Sequence, residues 1–303
     1  MIEVEPNASS RVSAGVSPGE SVGVPVGESV GLARDLAPQD LVLTLLGAQL
    51  RSREDQRVWS GGMVGLLGEF GFSPGAARIA LARMVHRGLL ARHRSGRLVS
   101  YTLTRRAVAI LVEGDLRIFS LGRRPTPATT WTVLWQAVPE QRRAARERLV
   151  RRLRFLGFGS LRDGTWIAPH DREREVAALL AELDVTRYVG VLLGRPATMV
   201  AFHPVLNRIW DLVDLSTRYR AFVAEFAGYA DPLRRAELDD RHALVLRIRL
   251  VHLFRQFPSL DPELPIDLVD PPAGRSDAVE LFHTLYPALA EPAGRHFDEV
   301  TSS

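Results

Sequence analysis

The spacing of apolar residues divides the chain into four stretches. Up to residue 37 the apolar side chains are small and scattered, and glycine recurs at Gly15, Gly19, Gly23, Gly27 and Gly31. An eight-residue near-repeat, Pro18-Gly-Glu-Ser-Val-Gly-Val-Pro25 and Val26-Gly-Glu-Ser-Val-Gly-Leu-Ala33, lies inside it. Glycine costs about 1 kcal/mol per helical position relative to alanine, and few large apolar side chains are present to offset it. Residues 1–37 therefore read as a disordered tail.

From Pro38 a helical period sets in. Leu41, Leu45 and Ala48, flanked by Val42 and Leu46, predict a helix over about 39–51. Ser60 is a candidate cap for a second helix over 61–69. Gly71-Phe-Ser-Pro74 is a turn followed by a start signal, with Ser73 as cap and Pro74 at the first helical position. The third helix, about 74–87, carries the apolar stripe Ala77, Ala80, Leu81 and Met84 and stops at Gly88. The period then drops to two. Leu89–His93 and Leu98–Leu103 flank Ser95-Gly96, a hairpin signal, and Thr104 caps a fourth helix over 105–119. Helix, helix, helix, hairpin predicts a winged helix-turn-helix over residues 38–120.

A Pro/Gly/Thr-rich linker follows over 121–130. Residues 131–200 then read strand (131–138), helix (140–156), hairpin (158–161 and 165–168), helix (171–183) and strand (187–193), the βαββαβ order of a ferredoxin-like domain. Residues 201–303 read as a helical C-terminal domain with helices near 204–228, 233–257, 276–290 and 293–299. The fold class is thus α+β in three domains. No uninterrupted apolar run approaches the 18–20 residues needed to span a bilayer, and the first residues lack the pattern of a signal peptide, which points to a cytoplasmic protein.

Charge changes the picture in one place. The chain has no lysine and no cysteine, and its net charge is +4. Between Glu69 and Glu113 there is no acid, yet the stretch holds Arg78, Arg83, Arg87, Arg92, Arg94, Arg97, Arg105 and Arg106. These eight arginines stand unopposed, while the other 31 face 35 acids. A basic patch on a winged-helix pattern fits double-stranded DNA, with the third helix in the major groove and the hairpin on phosphates. The candidate DNA-binding residues are Ser73, Arg78, Ala82, Arg83, His86 and Arg87 on the helix, and Arg92, Arg94 and Arg97 on the hairpin. Arg83 lies close to the buried edge and has a structural pairing as its alternative. From Asp211 on, acids outnumber arginines 16 to 10, so this region suits a ligand or dimer role.

Catalytic chemistry is not legible. The sequence has no G-x-G-x-x-G, P-loop, G-x-S-x-G or H-E-x-x-H pattern, and no catalytic residue, metal site or cofactor is assigned. His203, His242, His252 and His283 are scattered. His252 and Arg255, three apart, share a helix face and could grip an anion or bond the Asp261 turn.

In this order these segments resemble the PaaX family, the phenylacetate-degradation repressors. The resemblance rests on Leu43-Thr-Leu-Leu-Gly47, Ala77-Arg-Ile-Ala-Leu-Ala-Arg83, Tyr101-Thr-Leu-Thr104 and Glu113-Gly-Asp-Leu-Arg-Ile-Phe119. It continues through Val138-Pro-Glu140, Gly157-Phe-Gly159, Trp166-Ile-Ala-Pro169, Trp210-Asp-Leu, Tyr219-Arg-Ala-Phe222 and Asp261-Pro-Glu-Leu-Pro265. It implies a homodimeric repressor with a Cas2-like middle domain, released from palindromic operator DNA by an aromatic acyl-CoA such as phenylacetyl-CoA. Candidate ligand-binding residues are Arg142, Arg146, Arg218, His252 and Arg255. The chain departs from the family pattern at His252-Leu-Phe-Arg255, at Asp270-Pro-Pro-Ala-Gly-Arg275 and at Ile79. The place of a Cas2 metal-binding aspartate reads Trp135-Gln-Ala-Val-Pro139, with no carboxylate. The alternatives are an acyl-CoA-acting enzyme with a vestigial winged helix, which thioester turnover would reveal, and a protein-interaction scaffold, which DNA-independent pull-down would reveal.

Overall fold

The computed structural model describes residues 37–50, 56–123, 130–162, 164–197 and 203–302. The glycine-periodic tail, most of the 121–130 linker, Asp163 of the central hairpin and the side chain of His203 lie outside the described residues.

The first unit runs α1 (Pro38–Leu50), β1 (Val58–Trp59), α2 (Ser60–Glu69), α3 (Pro74–His86), β2 (Leu90–Ser95), β3 (Leu98–Leu103) and α4 (Arg105–Ser120). The Ser73 hydroxyl accepts from the Ala76 amide at 3.2 Å, with Pro74 next to it, so α3 starts where its cap dictates. Thr104 accepts from the Ala107 amide and donates to the Gly88 carbonyl at 2.7 Å, tying the start of α4 to the end of α3. The three strands form an antiparallel sheet in the order β1-β3-β2. Ser60 does not cap α2. Trp59 holds that position with no side-chain bond, because it pairs with Ser100 in the sheet and sets the chain's entry into the helix.

The middle unit runs β4 (Trp131–Gln136), a tight turn at Glu140–Arg142, α5 (Arg143–Phe155), β5 (Gly159–Arg162), β6 (Thr165–Ala168), α6 (Glu173–Glu182) and β7 (Val189–Gly194). Its four strands pair antiparallel in the order β5-β6-β4-β7. Leu149 and Leu153 of α5 and Val176, Leu179 and Leu180 of α6 cover one face, against Leu134 and Trp166. Burying such a face is the main favourable term in holding this layer pair together.

The last region holds α7 (His203–Ile209), α8 (Leu212–Phe226), α9 (Pro232–Ala236), α10 (Asp240–Phe254), α11 (Phe257–Leu260), α12 (Arg275–Ala288) and α13 (Ala290–Thr301). The helix expected over 204–228 breaks at Trp210 and Asp211. The Asp211 carboxylate caps α8 through the Asp214 amide at 2.9 Å, and Trp210 packs with Trp131 and Ile167 on the other face of the central sheet. The helix expected over 233–257 divides at Asp239, whose carboxylate accepts from the His242 amide at 2.7 Å and caps α10. The closing helix expected near 293–299 extends over Ala290–Thr301.

Among the described residues the buried apolar side chains form four clusters, and one of them joins the first unit to the last helices. Leu41, Leu45, Met63 and Leu66 of the first unit pack in one cluster with Leu244 and Ile248 of α10 and Ala293 and Phe297 of α13. A Cβ added to Gly62 of α2 would lie 2.1 Å from the Val300 carbonyl oxygen, so α2 and α13 meet backbone to backbone. Among the described residues no helix is long and apolar enough to cross a membrane.

Candidate functional site

Helix α3 has two sides of opposite character. Ala77, Ala80, Leu81 and Met84 are buried against α1 and α2. Arg78, Ala82 and His86 form one exposed ridge at four-residue spacing, and Ile79, Arg83 and Arg87 form the next. Ser73 is exposed at the start of the helix. Ile79, an apolar side chain on this face, is 55% exposed.

The β2–β3 hairpin adds Arg92, Arg94 and Arg97, all exposed. Arg92 and Arg94 lie on one face of β2, by the two-residue period of a strand. His93 points the other way and bonds the Thr102 hydroxyl at 2.9 Å. Gly96 takes φ +60°, which glycine adopts without cost, and Arg94 Nε donates to its carbonyl at 3.1 Å. Among the described residues, none of Arg78, Arg83, Arg87, Arg92, Arg94 and Arg97 makes an ion pair, and Arg83 is exposed. Arg106 Nη1 reaches the Arg87 carbonyl at 3.4 Å, so the start of α4 extends the same basic surface.

The five candidate ligand residues are dispersed. Arg142 pairs with Asp184 at 2.6 Å, and that bond raises the arginine pKa and lowers the carboxyl's. Arg146 pairs with Glu140 at 2.8 Å and Arg218 with Asp214 at 2.6 Å. His252 is buried in α10. Arg255 caps α10 and donates to the Thr44 hydroxyl on α1 at 2.8 Å. Arg255 makes no bond to the Asp261 turn among the described residues. That carboxylate accepts from Tyr219 Oη at 2.7 Å and from Arg275 Nε at 2.7 Å, because the proline-broken loop after α11 folds back to bring α12 over it.

Arg255 lines a cavity of about 480 Å³ between α1, α4, α5, α10, α11 and α12. The sequence alone did not name as ligand candidates several of its other walls, among them Gly114, Arg117 and Phe119 on α4 and Arg152 and Phe155 on α5. A signal for them exists. Helix α4 carries Val108, Ile110, Leu111, Val112, Leu116, Ile118 and Phe119, more apolar positions than one packed face can use. Only Ala107 of this helix is fully buried.

Matches to known proteins cover the same ground. A PaaX-like protein family matches residues 37–107, the PaaX protein central Cas2-like domain matches 124–204, and the PaaX-like protein C-terminal domain matches 210–299. The chain belongs to the PaaX family. Transcriptional repressor PaaX of Escherichia coli (strain K12) is 24% identical over 258 residues, which span 84% of this chain and 80% of that protein. The solved structure of the uncharacterized protein Rv0674 from Mycobacterium tuberculosis superposes with a TM-score of 0.52 at 22% identity, covering 87% of this chain and 98% of that one. That likeness speaks to fold alone. The E. coli relative is a transcriptional repressor. The family's central Cas2-like domain corresponds to β4–β7 with α5 and α6.

Proposed function

We propose that this protein is a dimeric transcriptional repressor whose first unit is a winged helix-turn-helix. In this reading α3 enters the major groove of double-stranded operator DNA, and the β2–β3 hairpin is the wing. The observation that carries it is the exposed arginine surface of α3 and the hairpin, free of ion pairs among the described residues and with no acid in the local sequence. In this reading Arg78, exposed on α3, grips guanine bidentately, while Arg92, Arg94 and Arg97 contact phosphates, which fix register without reading sequence. The E. coli relative, a transcriptional repressor, supports the same reading.

The domain limits in this proposal are 38–120 for DNA binding, 131–200 for the Cas2-like unit and 201–303 for the helical unit. The effector class we assign is an aromatic acyl-CoA, on the resemblance of the whole chain to the family. Gel shift with DNA upstream of the protein's own gene, repeated at rising salt, tests the DNA step. Affinity should fall steeply with salt, since each neutralised phosphate releases a counterion. Absence of a footprint on any native promoter overturns it. Sedimentation of the free protein tests the dimer, and release of bound DNA by phenylacetyl-CoA tests the effector class.

A further inference from the structure

We propose that Ile79 reads the C5-methyl group of a thymine in the major groove, fixing a base of the operator that the arginines of α3 do not. This deepens the reading of α3 as a recognition helix and rests on it.

Ile79 is 55% exposed and faces almost straight away from the core. At about 100° per residue, it lies within about 30° of the direction opposite the buried stripe Ala77, Ala80, Leu81 and Met84. Of the four positions one turn away, Gly75, Ala76 and Ala82 are small and the fourth is Arg83. A Cβ added to Gly75 would meet nothing nearer than the Ser73 hydroxyl at 4.0 Å. The isoleucine therefore protrudes, and its own helix offers it no apolar partner of any size. Helix propensity does not account for it either, since a β-branched residue forms helix less readily than alanine.

Single exposed apolar residues are ordinary on a protein surface, so what surrounds this one decides its meaning. Arg78 precedes it, Arg83 follows one turn on, and His86 and Arg87 are exposed further along the same helix. No acid occurs between Glu69 and Glu113. Such a surface draws a polyanion, and the apolar group that base edges present in the major groove is the thymine methyl. Arginines answer phosphates and the acceptors of guanine, whereas an isoleucine answers neither. Ile79 also lies in the first half of α3, the part of a recognition helix that meets base edges. Its stiff χ1 leaves little side-chain freedom to lose on contact.

Competition gel shifts of the full-length protein test the contact, on a footprinted duplex from upstream of its own gene. Each thymine is replaced in turn by deoxyuridine, which lacks only the methyl. At one or more positions wild type should lose affinity about fourfold, the worth of one methyl-sized group returned to water. In Ile79→Ala the penalty at one of these positions should vanish, so that thymine and uracil duplexes bind alike there. Alanine is the stronger helix former, so the melting temperature of the variant should match or exceed wild type. The proposal is overturned, with the reading of α3 left standing, if wild type binds DNA but no uracil substitution weakens it. It is overturned equally if Ile79→Ala keeps the penalty at every position, as a merely structural role would have it. A change in the sedimentation of DNA-free Ile79→Ala would make Ile79 a contact between copies of the chain and overturn it too. If wild type binds no DNA at all, the reading of α3 falls and takes the proposal with it.

Discussion

Arg275 places its Nε 2.7 Å from the carboxylate of Asp261, whose side chain is 2% exposed. Tyr219 donates to the same carboxylate, and Arg275 Nη2 reaches Glu263 at 3.0 Å. Glu263 in turn accepts from the Gly122 amide, which ties the end of α4 to this loop. Burial beside Asp261 pushes the Tyr219 hydroxyl well above its ordinary pKa, so it stays a donor at any working pH.

Removing one partner of such a pair leaves a buried charge uncompensated, at a cost of about 3–5 kcal/mol. Arg275→Met should therefore destabilise the protein by that order, read from urea unfolding. Tyr219→Phe should cost about 1–3 kcal/mol, because one acceptor site on Asp261 is left unmade. Wild-type stability in Arg275→Met would show that the pair does not hold the loop.

The shared core makes a second prediction. Phe297 of α13 is fully buried among residues of α1 and α2, and Phe297→Ala should cost about 3–5 kcal/mol. A fragment of residues 37–120 lacks Leu244, Ile248, Ala293 and Phe297 and exposes the apolar surface they cover. Its circular dichroism should show no cooperative melt, whereas the full chain melts cooperatively.

On DNA, Arg78→Ala should cost about 1–3 kcal/mol and relax preference at one base position. Arg97→Ala should weaken all sequences alike and reduce the salt slope by about one. Competition gel shifts with permuted operators separate the two. Equal, sequence-independent losses in both variants would place Arg78 on the backbone instead of a base.

His283 sets a pH dependence. Burial, and then the charge of Arg123, hold its pKa below the ordinary 6.5. The folded protein takes up this proton less readily than the unfolded chain. Its contribution is fully present above the unfolded value and is lost as pH falls through about 6.5 towards the folded value. The drop in melting temperature between about pH 7.5 and about pH 5.5 should shrink in His283→Asn. An unchanged drop would remove His283 as a contributor.

Much of the local structure was legible because its causes are local. Ser73 and Thr104 cap where their hydroxyls and following residues say they should. The stripe Ala77, Ala80, Leu81 and Met84 is the buried one. Ser60 misled because its neighbour Trp59 was already committed to a strand pair from 41 residues further on. The break at Trp210 was hidden for the same reason. An aspartate within a helical pattern reads as a cap only once Trp210 is seen to pack against the central sheet.

The five candidate ligand residues show the limit most clearly. Sequence supplies cations, and tertiary structure assigns their partners. Arg142, Arg146 and Arg218 meet carboxylates, whereas Arg255 meets a hydroxyl inside a cavity. By itself the sequence determined the starts of α3 and α4, the hairpin, the acid-free basic stretch and the family resemblance, because each is a matter of neighbours within a few residues. Only the tertiary structure decided that α10 and α13 complete the core under α1 and α2, that Arg275 holds Asp261, and that Arg255 opens onto space walled by six helices. Those facts join residues up to 211 positions apart, and periodicity along a chain carries no information about which distant faces meet.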